Sequence, residues 1–173
     1  LNGIDDLRAY CYHQRGVVPL YGNAFTLEDI QRRFPYAFFP PSQYWDKPVL
    51  SAHVVEGEFE VHGVKVIPIP VLHGTWPIYG YRIGNVAYIT DVSEIPDSSR
   101  HLLQGLDVLL LDSLRRVPHP THFSFEQAVD EAQRIKAQQT WLIHMTHELS
   151  YADMAEALPA NIAPAYDGLR IVL

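Results

Sequence analysis

Cysteine is almost missing: Cys11 stands alone in 173 residues. It cannot close an internal disulfide or build a thiolate metal cluster, so nothing in the chain calls for an oxidising compartment. Positive charge is also scarce, with 13 Lys and Arg against 20 Asp and Glu for a formal charge of −7. That balance repels a polyanion at long range, and the basic residues are not clustered into an arm that would grip a polynucleotide, so long nucleic acid is not an expected partner. No stretch approaches the roughly 20 apolar residues needed to span a bilayer, and the start LNGIDDLRAY lacks the charged and apolar regions of a signal peptide. The expectation is a cytoplasmic protein without a membrane partner. Position 1 is Leu, not Met, so the chain is expected to begin inside a longer reading frame or after removal of a segment.

What is present is a large apolar fraction, 47% hydrophobic with only 19% charged, enough for the core of one domain over 1–173. Residues 4–14 read as a helix, 17–21 as a short strand, and a second helix is expected to open at Thr26 with Asp29 in capping position. The tract FPYAFFPPSQYWDK at 34–47 is too broken for regular structure and too apolar for a plain solvated loop. Strand patterns follow at 50–55, 58–61, 64–71, 79–83 and 86–90, the last two joined by the turn pair Gly84-Asn85. The second half alternates: strand 108–111, helix 125–138, strand 140–143, short helix 151–157 and a last strand 169–173. Alternation of this kind is α/β. Phe125, Ala128, Val129, Ala132 and Ile135 share one helix face behind a capping box of Ser124 and Gln127.

Three of the strands stop at metal-ligand side chains: IPIPVLH at His73, VAYITD at Asp91 and TWLIH at His144. Ligands of α/β proteins gather beyond the carboxyl ends of strands, where side chains from different strands converge. Two imidazoles and a carboxylate make a nitrogen and oxygen set suited to Zn, Mn or Fe. Asp112 and Asp167 end or flank strands in the same way. A histidine at a strand end is also an ordinary hydrogen-bonding residue, and aspartate is favoured in turns and caps, so spacing leaves both readings open.

The segments VLHG at 71–74, GYRIGNVAYITD at 80–91, THFS at 121–124, LIHMTH at 142–147 and AYDGL at 165–169 resemble the metallo-β-lactamase superfamily. The likeness is to its phosphodiesterase branch, the phosphoribosyl cyclic phosphodiesterases above all. The resemblance implies an αββα sandwich whose N-terminal part, with the signature His-x-His-x-Asp-His, is missing from this chain, leaving the C-terminal two-thirds of a complete domain. It also implies two divalent ions, Zn or Mn with Fe as a third choice. His73 and His144 would be metal ligands, Asp91 a ligand bridging both ions, and His122 a contact to the substrate phosphate that also donates a proton. His147, three residues past His144, is left a supporting role.

The activity so implied is hydrolysis of small phosphodiesters, cyclic or nucleotide-like, by a hydroxide held on the ions. Arg115 and Arg116 would add local positive charge for the phosphate, or belong to a solvated loop. Tyr36, Phe38, Phe39, Tyr44 and Trp45, and nearer His73 also Trp76, Tyr79 and Tyr81, would stack on a base or ribose, or serve core and subunit contacts, a homodimer included. Two rival readings stand beside this one: a thioester or lactone hydrolase of the same fold, and a non-catalytic scaffold lacking the main ligand loop.

Overall fold

The chain forms two compact units, residues 1–56 and 57–173. The structure, a computed structural model, describes residues 2–14, 16–39 and 49–172. In the first unit a 3-10 turn at Asn2–Asp6 leads into α1 (Leu7–Gln14), β1 (Val18–Gly22), α2 (Ala24–Arg33), a second 3-10 turn at Pro35–Ala37 and β2 (Leu50–Val54). β1 and β2 pair in parallel, Val18 opposite Leu50 through Gly22 opposite Val54. Leu27, Ile30, Ala37 and Leu50 form its buried interior.

α2 begins at Ala24, not at Thr26. Asn23 sits in extended backbone and its side chain accepts the Thr26 N–H at 2.7 Å, which caps the helix three residues before Thr26. Asp29 instead pairs with Arg33 at 2.7 Å along the helix surface. Of the aromatic tract, Tyr44 and Trp45 lie outside the described residues, while Tyr36 and Phe39 are exposed.

The second unit is one seven-stranded sheet whose spatial order follows the chain: β3 (Phe59–Val61), β4 (Val64–His73), β5 (Trp76–Ile83), β6 (Val86–Ile89), β7 (Val108–Asp112), β8 (Gln139–Ile143) and β9 (Ile162–Pro164). β3 to β6 are antiparallel neighbours, and β6 to β9 run parallel. Parallel strands need crossovers, supplied by a 3-10 helix at Asp97–Leu103, by α3 (Phe125–Ile135) and by α4 (Tyr151–Ala157). Register places Ala87, Leu109, Thr140 and Ile162 in one row and Ile89, Leu111, Leu142 and Pro164 in the next. Both rows are buried, together with Phe125, Ala128 and Ala132 of α3.

α3 carries the expected capping box, with Ser124 accepting the Gln127 N–H and the Gln127 side chain accepting the Ser124 N–H. It ends at Ile135 because Lys136 turns left-handed at φ 59°. Its one buried charge, Glu131, is matched by two bonds from Arg100 at 2.8 and 3.1 Å and one from Arg134 at 2.8 Å.

The last strand is Ile162–Pro164, whereas 169–172 carries no strand. Residues 162–164 occupy the open edge of β8, opposite Thr140 to Leu142. Gly168 at φ 88° then turns the chain before 169. Pro164 is tolerated because an edge strand has ladder positions that need no donor. No helix among the described residues is long and apolar enough to cross a membrane.

Strand direction decides where the site is. β4 is antiparallel to β5 and β5 to β6, so β4 points the same way as β6, and β7 and β8 are parallel to β6. The carboxyl ends of four strands therefore open on one rim of the sheet.

Candidate metal centre

His73 is the last residue of β4, Asp112 the last of β7, and Asp91 and His144 lie just past β6 and β8. Asp91 and His144 both hold left-handed backbone, at φ 55° and 64°. Non-glycine residues in that region cost about 1–2 kcal/mol, and such outliers concentrate at functional sites. The rim brings the predicted ligands together. His144 Nε2 lies 3.4 Å from Asp91 Oδ1. His73, Asp91 and His122 offer ligand atoms all within 4.8 Å of one another, and Asp112, His122 and His144 do the same. His122 belongs to both groups, its ring centre 4.7 Å from that of His73 and 4.9 Å from that of His144.

His122 comes from the loop between β7 and α3, which is stitched down on both sides. The Phe123 N–H donates to the Val92 carbonyl at 2.7 Å, the Leu114 N–H to the Phe123 carbonyl at 3.0 Å, and Ser124 is occupied capping α3. Gly74 fits against the same loop: its φ is 64°, and a Cβ there would meet Thr121 Cγ2 at 2.9 Å. Gly74→Ala is expected to destabilise the protein by about 1–3 kcal/mol through overpacking and left-handed strain. Urea unfolding measures this, and an unchanged midpoint would refute the packing argument.

Two neighbours set the imidazole tautomers. His73 Nδ1 lies 2.8 Å from the Thr121 carbonyl, which can only accept, so Nδ1 carries the proton and Nε2 is left with its lone pair. His122 Nδ1 lies 2.9 Å from Asp112 Oδ2, an oxygen that also takes the Val92 N–H at 3.1 Å. Its Nε2 is likewise a lone pair in the neutral ring. Asp112 is fully buried and its Oδ1 has no protein partner. Burial pushes its carboxyl up to about 6, against the pull of the Val92 N–H. His122 is pushed below the ordinary histidine value, by burial first and the nearby His73 second. A neutral His122 faces its neighbours as an acceptor and can donate to a phosphate only as imidazolium.

Lone-pair nitrogens with carboxylate oxygens, on backbone held by a sheet, fit a divalent ion of the Zn, Mn or Fe kind. The other predicted residues stand apart from the cluster. Arg116 bonds Glu126 at 3.2 Å and lies over the Phe125 ring, and Arg115 reaches the Val117 carbonyl at 3.2 Å and Glu148 at 3.9 Å. His147 and Asp167 are exposed and join neither ligand group. Trp76 stands beside the rim, opposite His73 in register, and is half exposed. Sequence reasoning overlooked Thr121 and saw Asp112 only as another strand end. The one available signal was a charged residue closing the apolar run VLLL, which is costly to bury without a partner.

The chain matches the beta-lactamase superfamily domain over residues 1–145. It is similar to a diphosphatase from the PhnP family, with 39% identity, a TM-score of 0.87, and coverage of 99% of this chain and 66% of that one. Over its whole length it is also 33% identical to an octanoyltransferase from Porphyromonas gingivalis (strain ATCC BAA-308 / W83), of which it spans 35%. The fold is shared with the metallo-β-lactamase fold protein YhfI from Bacillus subtilis, at 16% identity and a TM-score of 0.75 over 97% of this chain and 70% of that one. The chain thus spans about a third of the curated relative and about two-thirds of the diphosphatase. A mixed sheet with helical crossovers, strand ends that converge on a histidine and aspartate cluster, and a domain match across 1–145 lead to one assignment: this chain belongs to the metallo-β-lactamase superfamily.

Proposed function

We propose that the protein hydrolyses small phosphodiesters or diphosphates, cyclic or nucleotide-like, with two divalent ions of the Zn or Mn kind. The observation that carries this reading is the rim cluster of His73, Asp91, His122 and His144 in a chain 39% identical to a diphosphatase. These four residues would hold the ions, which supply Lewis acidity toward the phosphoryl oxygens when bound. The chain's own part is preorganisation. The Thr121 carbonyl and Asp112 leave two Nε2 lone pairs for the cluster, and strand ends of the sheet hold His73, Asp91 and His144 while the loop stitched to Val92 and Leu114 holds His122.

A thioester hydrolase is the second reading, because the octanoyltransferase relative works on an acyl group. That likeness weighs less, since the matched region is about a third of that protein. One assay separates the two. Full-length protein is offered a bis-aryl phosphodiester, a dinucleoside diphosphate and an octanoyl thioester, before and after chelation. The expected result is phosphoester or diphosphate cleavage, lost on chelation and restored by Zn or Mn; turnover of the thioester alone would sink it.

A further inference from the structure

His119 lies beside the cluster and joins neither ligand group, yet its ring centre is only 5.2 Å from that of His122. Its tautomer is the reverse of the other two. The Thr121 N–H, which can only donate, approaches His119 Nδ1 at 3.3 Å, and the Thr121 hydroxyl lies 3.2 Å from the same nitrogen. Nδ1 therefore holds the lone pair, and the single proton of the neutral ring sits on Nε2. Pro120 between them confines His119 to extended backbone, which favours this short return contact. Thr121 thus sets both rings: its carbonyl turns His73 into a lone-pair donor, while its N–H and hydroxyl turn His119 into an N–H donor.

The two presentations have opposite partners. A lone pair binds a cation, and an N–H binds an oxygen. We propose that His119 is a substrate contact whose Nε2–H donates a hydrogen bond to a phosphoryl oxygen. This rests on the phosphoester reading above. His119 is half-buried, and its Nε2 has no protein partner among the described residues. Because Nδ1 accepts the Thr121 N–H, the ring in this arrangement is neutral and does not repel an adjacent cation. The role matches what His122 lacks, since a neutral His122 with its proton given to Asp112 has nothing to donate.

The test uses full-length protein loaded with Zn, and methylenediphosphonate, a diphosphate analogue that resists hydrolysis. Calorimetry is expected to show binding weakened about 10- to 100-fold in His119→Ala, as for loss of a hydrogen bond to a charged group, at unchanged metal content. His119→Gln, whose amide can stand where Nε2–H stood, is expected to recover part of that loss. In nitrogen-detected imidazole spectra, His119 is expected as the Nε2–H form, and its resonance shifts when the analogue is added. Binding by His119→Ala within twofold of wild type, or an Nδ1–H ring, would overturn the assignment while leaving the phosphoester reading intact. Wild-type protein that binds no analogue would overturn that reading, and this assignment with it.

Discussion

Asp112→Asn is expected to lower kcat/KM and metal affinity by about 10- to 100-fold, as removal of a ligand-orienting partner does. The carboxylate accepts from both the Val92 N–H and His122 Nδ1–H. Asparagine with its oxygen in the place of Oδ2 still accepts from both, so His122 keeps its tautomer. What it loses is the negative charge that makes Nε2 a stronger ligand, and its NH2 is buried without a partner where Oδ1 stood. Imidazole spectra should keep the Nδ1–H form at His122 while metal affinity falls, and full metal affinity would remove Asp112 from the site.

The same substitution has a pH signature in metal-free protein. The Asp112 carboxyl is raised from 3.8 to about 6, burial being the main cause. A raised acid favours the folded state while it is protonated. Its contribution is therefore fully present below about pH 4 and is lost as pH rises through about 6, a change of about 3 kcal/mol that asparagine lacks. Urea unfolding of both proteins between pH 4 and 7 should give curves that converge upward for wild type on the acid side. Parallel curves would show that the carboxyl is not perturbed.

Asp91→Ala is expected to cost more in activity and little in folding. Its side chain is half exposed beside His144 and Asp91 is not one of the core residues, so the variant should fold. Metal content should fall by about half or more, and kcat/KM by at least about 100-fold. The left-handed φ of 55° adds a second test. Asp91→Gly should be more stable than Asp91→Ala by about 1 kcal/mol, because alanine keeps the Cβ clash that glycine lacks. Undiminished metal content would count against Asp91 as a ligand, and equal stability of the two variants against the strain.

Chain-local signals were read well because their physics spans only a few residues. The α3 stripe and the Ser124–Gln127 box depend on contacts within a turn or two, and the Gly84-Asn85 turn joins Ile83 to Val86 directly. Signals settled by distant partners were not. The stretch 169–173 has a strand's composition, but the edge of β8 is taken by 162–164, and which segment wins an edge is a matter of tertiary pairing. Thr26 and Asp29 have the spacing of a cap, but Asn23 is the residue that holds the turn.

By itself, then, the order of residues determined the α/β class, the strands that end at or just before His73, Asp91 and His144, and the superfamily. Only the folded chain decided which of those ends share a rim, since that follows from strand direction across β4 to β8. It alone also decided which nitrogen of each ring carries the proton. Thr121 stands 48 residues from His73 and Asp112 ten from His122, and a hydrogen bond between such partners exists only once the loop has folded back onto the sheet.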